Sequence, residues 1–488
     1  MNKRLKIIVS GLLCLLLVGL AGCTVAGTKL DDALNNAVKM KSYEGDGSLS
    51  LEFTDDGVAK PMKLGNVAFS SLGKINLMIT SMKQAEPNTL SLAGNISMMN
   101  RTIPFSLQLN KAQLVILIDN NPHPIVFELD KLIGGSIKLD GIDISPIFSD
   151  PNKLLSMLSP FVISKLPDLQ NLSVSSVNEK INNENVDLQK LHTELNSADA
   201  IAFVKSLLSK ILADPPGIKA LVSQLYNAFF EPTEVKEGGF DINALFINGA
   251  SNKLVELLQN LSTSLDDATA TEGGLSSFLN DKTSIKTDLY LDGSTQLRKI
   301  GLDLNLGGII KASGSFSLWK INQTVTADPA VNVSKDASQW AHLLKSMNSN
   351  SDAYQLLMND LHVLNKEIKM IVPPFDKSGK VAVGSAYISK TNRTMVPVRY
   401  ISETLDSEVG WDAVKKQVTI TDIMTGKTIV LTLNSTKATI DGKPATLDSP
   451  AVSVNDSTYV PVGFIAEALT GAKPDWDQAS RTVSISKK

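Results

Sequence analysis

Cysteine is nearly missing from these 488 residues: there are two, Cys14 and Cys23, both close to the start. The folded part can therefore hold neither an internal disulfide nor a thiolate metal cluster, and its stability must come from packing. Aromatic residues are also scarce at 5%, so the cores are expected to rest on Leu, Ile, Val and Met. A formal charge of −3 provides no broad cationic field for a nucleic-acid backbone, and nucleic acid is set aside as a partner. The four histidines, His123, His192, His342 and His362, are scattered singly, none with a partner at ligand spacing, which argues against a metal site. No nucleophile–base set, phosphate loop or metal motif is visible, so no enzyme is expected and no catalytic or cofactor-binding residue is nominated.

What remains is a composition of 43% hydrophobic and 20% charged residues, which fits a folded soluble chain long enough for two or three domains. Its N-terminus has the form of an export signal. Lys3, Arg4 and Lys6 precede an almost unbroken apolar run from Ile7 to Leu20. At 14 residues the run falls short of the roughly 20 that span a bilayer as a helix. It reads as a signal rather than a permanent anchor.

The run ends in Leu20, Ala21, Gly22 and Cys23, which resembles the lipobox of bacterial lipoproteins: a branched apolar residue, two small ones and an obligatory cysteine. The resemblance implies cleavage after Gly22 and a diacylglyceryl group on the Cys23 sulfur, placing the protein on the outer face of the cell membrane. Two acyl chains at about 0.8 kcal/mol per buried CH₂ would hold it there, whereas one chain binds only marginally. Cleavage by the ordinary signal peptidase near Ala26 is the plainer alternative, and the spacing, the residue sizes and the lack of later cysteines oppose it.

From Ser42 onward the apolar residues alternate. Leu49, Leu51 and Phe53, then Ile75, Leu77 and Ile79, then Ile103, Phe105 and Leu107 predict antiparallel strands with one apolar face. Helical spacing follows around 151–166, 198–213, 217–230 and 250–266, with a strand in "NVDLQKLHTELN", before strands return in "SIKTDLYLDG", "LRKIGLDLNL" and "KASGSFSLWKI". Sheet, helices and sheet in one region predict an α+β domain with helices laid across one large sheet.

The opening helix running into "MKSYEGDGSLSLEF", the stretch "INNENVDLQKLHTELNSADAIAFVKSLL", and "KTDLYLDGSTQLRKIGLDL" before the closing "KINQTVTADPA" together resemble the lipoprotein-carrier (LolA-like) half-barrel over about residues 28–330. The resemblance implies a large curved antiparallel sheet covered by helices, with a cavity for a lipid or other apolar ligand. Alternation alone cannot separate a cavity wall from a packed core, since both need the same apolar face.

Near the end the sequence repeats itself. "TMVPVRYISETLDSEVGWDAVKKQVTIT" aligns with "TYVPVGFIAEALTGAKPDWDQASRTVSIS", matching Val396–Pro397 to Val460–Pro461, Ile401 to Ile465, Glu403 to Glu467 and Trp411–Asp412 to Trp476–Asp477. Each copy predicts a short strand closed by proline, a helix burying Val398, Ile401 and Leu405 or Val462, Ile465 and Leu469, and a further strand. A smaller α+β domain built from a duplicated strand–helix–strand unit is expected.

These residues resemble the stalk domain named after the N-terminal domain of copper amine oxidases, common in Gram-positive envelope proteins, over residues 380–488. Gly463 standing where the first copy has Arg399, and Pro474 for a usual aliphatic residue, are departures that touch any paired-arginine role rather than the fold. The resemblance concerns an accessory domain and implies no copper chemistry. Glu403, Glu467, Asp412 and Asp477 recur once per copy and read as turn-holding or solvent-facing groups rather than an acid/base pair.

Residues 1–22 are thus expected to be a signal peptide, 23–330 a LolA-like α+β lipid-binding domain, 331–379 a helical connector and linker with "KDASQWAHLLKSM" and "SDAYQLLMNDLHVLNKEI" as helices, and 380–488 the stalk domain. Two functions are expected of such a chain: a non-enzymatic lipoprotein holding an apolar ligand, or an envelope protein binding wall polymer or other proteins through its stalk.

Overall fold

The computed structural model describes residues 24–487 apart from 26–27, 55–62, 65–66, 86–88, 111–112, 120, 122, 129–137, 140–141, 144, 149, 170, 231–241, 271–274, 329–339 and 374–383. Gly22 and Cys23 lie outside the described residues. These fall into two compact units, the first within Met1–Ile118 and Val126–Val331, the second within Asp119–Ile125 and Asn332–Lys488. Both are α+β.

The first unit is built on an eleven-stranded antiparallel sheet. After helix α1 (Leu30–Val38) the chain lays down β1 (Tyr43–Phe53), then β2 (Lys74–Gln84), β3 (Leu90–Met98), β4 (Arg101–Leu109), β5 (Gln113–Ile118) and β6 (Ile125–Glu128) as a meander running outward. Helix α2 (Pro151–Ile163) leads to the opposite edge. There β7 (Ser173–Ile181) and β8 (Glu184–Asn196) form a hairpin. Helices α3 (Ser197–Leu212), α4 (Pro215–Phe229) and α5 (Ile242–Ala270) follow, and then β9 (Ser284–Leu291), β10 (Leu297–Leu306) and β11 (Ile310–Trp319) return inward. The last strand closes on the first, with Gly314 opposite Leu49. The spatial order is β6-β5-β4-β3-β2-β1-β11-β10-β9-β8-β7.

Local chemistry sets the helix starts. Asp150 and Asp214 each stand before a proline and accept from the backbone N–H groups of Lys153 and Gly217 at 3.0 and 2.9 Å. Proline at the first helical position costs nothing there, because its missing N–H would have had no partner. Strand β8 passes directly into α3 through Asn196, whose side chain accepts from Asp199 N while Asp199 accepts from Asn196 N. Helix α3 then divides its apolar residues: Ala200, Phe203 and Leu207 face the sheet cluster, and Val204 and Leu208 pack with Leu265 of α5.

Pro104 falls inside β4, which has neighbours on both sides. The pairing of β4 with β5 begins only at Phe105, opposite Ile118, so the proline's missing donor breaks no rung of that ladder.

The second unit holds α6 (Trp340–Ser346), β12 (Lys366–Ile371), β13 (Tyr387–Ile388), β14 (Thr394–Pro397), α7 (Val398–Thr404), β15 (Ser407–Asp412), β16 (Gln417–Asp422), β17 (Thr428–Thr432), β18 (Lys437–Ile440), β19 (Lys443–Thr446), β20 (Val452–Val454), β21 (Ser457–Pro461), α8 (Val462–Thr470), β22 (Asp475–Asp477) and β23 (Thr482–Lys487). They form three sheets, ordered β12-β23-β22, β13-β14-β21-β20 and β15-β16-β17-β18-β19. Ile401 and Ile465 of the two helices, and Leu405 directly after α7, are wholly buried, in one cluster with Val396, Ile420 and Val460. Within this unit buried Asn121 donates to Leu343 O at 3.2 Å and accepts from Ser346 Oγ at 2.9 Å.

One helix expectation is corrected here. The stretch "SDAYQLLMNDLHVLNKEI" is helical only over Asp352–Gln355 and a π turn at Leu356–Asp360. His362 then takes a left-handed φ of 49°, and Ile368 and Met370 alternate as buried residues with exposed Glu367 and Lys369 in β12. That pairing with β23 outweighs helix propensity, because it buries the alternating face against the domain core.

Candidate functional site

Register places most apolar residues of β1 to β5 and β7 to β11 on one continuous face. One cross-strand row runs Leu49, Leu77, Ile96 and Ile103, each directly opposite the next. A second runs from Leu51 the other way through Ala312, Leu304 and Ile285 to Leu195. A third joins Phe316, Ile300, Leu289, Leu191 and Val174. Phe105, opposite Ile118, and Leu107, opposite Ile116, extend the face to β5.

The other face is polar, with Ser48, Ser50, Asn76, Ser313 and Ser315 along the central strands. Cross-strand ion pairs Lys190–Asp288 at 3.0 Å and Lys286–Glu194 at 3.1 Å lie on it near the β7 edge. At one end Ile181 and Leu188 of the β7–β8 hairpin bury Tyr290, with Trp319 packed against them. Lys299 and Lys190 approach the Tyr290 ring at 5.1 and 5.6 Å.

Coverage of the apolar face is uneven. Over β8 and β9, Leu191, Leu195, Ile285 and Leu289 are sealed beneath Leu30 and Ala33 of α1, Phe203 and Leu207 of α3, and Ile163, Leu166 and Leu169, while Ile300 and Leu304 of β10 are partly buried against the same cluster. Over β1 to β5, by contrast, Leu49, Leu77, Leu92, Phe105, Leu107 and Ile116 remain only partly buried. Ile79 and Ile103 are buried among them at 7% and 6% exposure. The same face is thus a packed core at one side and an accessible apolar surface at the other.

The sheet curls toward this face. Gly94 belongs to it, and a Cβ there would lie 2.0 Å from the carbonyl oxygen of Met78 on the adjacent strand, whose backbone leans over the apolar side. Gly314 shows the same approach, 2.2 Å from Ser48 O. Register shifts between Gly45 and Gly47 and between Ile79 and Ser81 lie in the same region. Glycines and bulges are the devices by which a pleated sheet bends sharply.

The polar candidates are dispersed. His192 Nδ1 is 2.7 Å from Asp288 Oδ1 on the polar face, His362 Nδ1 lies 3.0 Å from Met358 O, and His123 is exposed. The side chain of His342 lies outside the described residues. Among the described residues no group of three or more His, Cys, Asp or Glu is placed to hold a metal ion.

Asp412 accepts from the backbone of Lys415 at 2.9 Å and Val414 at 3.0 Å, and these donors hold its carboxyl below the ordinary value. Asp477 is held low in the same way by the Ser480 hydroxyl and by Ala479 N, each at 2.8 Å. Glu403 pairs with Arg399 at 2.8 Å along α7, and Glu467 is exposed. The four carboxylates do not converge.

Among the described residues no helix is long and apolar enough to cross a membrane. The second unit carries the two Val-Pro strands, each entering a helix, and the two Trp-Asp turns. Residues 384–485 match the copper amine oxidase N-terminal domain. The matched segment is 102 of 488 residues and falls inside the 380–488 expected for the stalk domain. It corresponds to the N-terminal domain of that family. No curated protein matches the chain.

Proposed function

We propose that this protein is a non-enzymatic cell-envelope lipoprotein, anchored through a diacylglyceryl group on Cys23, that holds an acyl-bearing lipid against the curled apolar face over β1 to β5. The observation that carries the reading is the uneven coverage of that face. Over β8 and β9 the inward Leu191, Leu195, Ile285 and Leu289 are buried, whereas Leu77, Phe105, Leu107 and Ile116 keep part of their surface accessible on the concave side. Eight methylene groups laid there would contribute about 6 kcal/mol before the cost of association. The order of strands and helices, and the resemblance to lipoprotein-carrier half-barrels, support the same reading.

The C-terminal region is, in this proposal, a duplicated strand–helix–strand stalk that stands beyond the membrane. Support comes from the pairing of the two copies: Val396 lies directly opposite Val460, its own counterpart in the repeat. An antiparallel pair of equivalent residues is what a local two-fold relation between copies produces.

Leu77 and Met78 are neighbours on opposite faces, which makes a paired test. Titration of the full chain with parinaric acid should show saturable fluorescence enhancement. Leu77→Arg should weaken it at least tenfold, while Met78→Arg, at a position 56% exposed on the polar side, changes it less than twofold. Equal effects from both variants would remove the site from this face. For the anchor, Cys23→Ala should abolish palmitate incorporation in the native host and release the protein from membranes; retention of the label would disprove the anchor.

A further inference from the structure

We infer that the cleft beside α7 binds a saccharide unit of a polymer. The cleft has a volume of about 640 Å³ and an apolar floor that includes Val398, Val409, Val418 and Leu433. Tyr400 and Trp411 line it while 50% and 48% exposed. Neither the Tyr400 hydroxyl nor the Trp411 indole N–H has a partner among the described residues. Arg399, Glu403 and Asp456 supply charged groups at the rim. Aromatic rings with wet polar tips beside convergent donors and acceptors suit a pyranose, which offers a C–H face for stacking and hydroxyls around its edge.

A peptide strand is the competing occupant, because β15 is the edge of its sheet. An added strand would need the edge carbonyls of β15. Arg399 Nη1 occupies that of Val409 at 3.3 Å while bonded to Glu403 Oε1 at 2.8 Å. The guanidinium therefore competes with strand addition at that carbonyl and leaves the aromatic walls open.

The repeat provides an internal comparison. At the positions of Arg399, Tyr400 and Trp411 the second copy has Gly463, Phe464 and Trp476. Phe464 packs against the core, and the Trp476 indole donates to Gln478 Oε1 at 2.8 Å. What scaffolding requires recurs in both copies, such as the Val-Pro strand and the buried isoleucine. The guanidinium, the phenol and the free indole occur together only in the first.

Isothermal titration of the full chain with the soluble hexamer of β-1,4-linked N-acetylglucosamine, and with cellohexaose alongside, tests this. Saturable binding of at least one sugar is expected. Trp411→Ala and Arg399→Gly should each weaken it at least tenfold, and Trp476→Ala less than twofold. Arg399→Gly installs the residue that the second copy already carries, so it remains informative should Trp411→Ala lose its circular dichroism signal. Absence of binding to both sugars, or an equal loss from Trp476→Ala, overturns the inference. So does saturable binding of an extended peptide along the β15 edge in their place. Parinaric acid binding to the first unit is unaffected by any of these outcomes, so the two readings fail separately.

Discussion

Asp422→Ala will destabilise the second unit by about 3–5 kcal/mol, a large share of the 5–15 kcal/mol typical of a folded domain. The Asp422 side chain is 4% exposed and its Oδ2 lies 2.6 Å from Lys487 Nζ, itself 14% exposed. Oδ1 accepts from the backbone and hydroxyl of Thr425, both at 2.8 Å. Removing the carboxylate leaves the buried ammonium with the Leu405 carbonyl at 2.7 Å and no counter-charge. Beside it, Lys366 stands directly opposite Lys487 and pairs with the nearly buried Asp406. Four charges thus join the β12-β23-β22 sheet to the β15-to-β19 sheet.

The cost comes from the unpaired charge rather than from any large net gain of the pair. Replacing both partners, Asp422→Leu with Lys487→Met, should therefore recover most of the loss. Because the two units need not unfold together, the measurement is native-state hydrogen exchange resolved by peptide rather than one melting temperature. If Asp422→Ala leaves exchange in β16 and β23 unchanged, the pair carries no structural load.

The same group makes a pH prediction. Burial pushes the Asp422 carboxyl up, but Lys487 and Thr425 outweigh it and the net direction is down. A carboxylate with a lowered folded-state value adds stability that is fully present above its unfolded value of about 3.9 and is lost as pH falls through the lower folded value. Acid loosening of the second unit should therefore begin below about pH 4, with a shallower pH dependence in Asp422→Asn.

Gly94→Ala will destabilise the first unit by about 3 kcal/mol, the upper range for forcing extra volume into a packed site. The new methyl would sit 2.0 Å from Met78 O and 2.9 Å from Met78 C, both backbone atoms that can yield only if β2 and β3 separate. Gly314→Ala should behave alike against Ser48 O. Gly249→Ala is the control: exposed on α5 with nothing within 4 Å of the added carbon, it should stabilise by about 0.5–1 kcal/mol. Exchange in β2 and β3 reads the first effect. A neutral Gly94→Ala would mean that the sheet does not bend there.

Much of this fold was legible beforehand, and for definite reasons. Period-two alternation at Leu49, Leu51 and Phe53, or at Ile103, Phe105 and Leu107, reports directly on a half-buried strand. The helices around 151–166 and 217–230 announced themselves through apolar residues spaced three and four apart. Val398, Ile401 and Leu405 were expected in a core and are 1%, 0% and 0% exposed. Lys366, Glu367 and Ile368, which open the Lys366–Ile371 strand, were expected to end a helix, because so short a stretch satisfies either period and only the partner strand Thr482–Lys487 decides between them.

The chain itself determined which residues would be apolar on each element, where helices would begin, that thiols would not brace the fold, and that two tryptophan-bearing segments near the end would be alike. These are local properties, written in spacing of two or three to four residues. Only the tertiary structure decided that Leu49 faces Gly314, that Asp422 meets Lys487, that one side of the sheet is sealed by α1 and α3 while the other stays accessible, and that Arg399 covers the edge of β15. Such pairings depend on which distant strands and helices come to lie side by side, and the energy that selects them, burial of a whole face together with satisfaction of its charges, exists only after the chain has closed on itself.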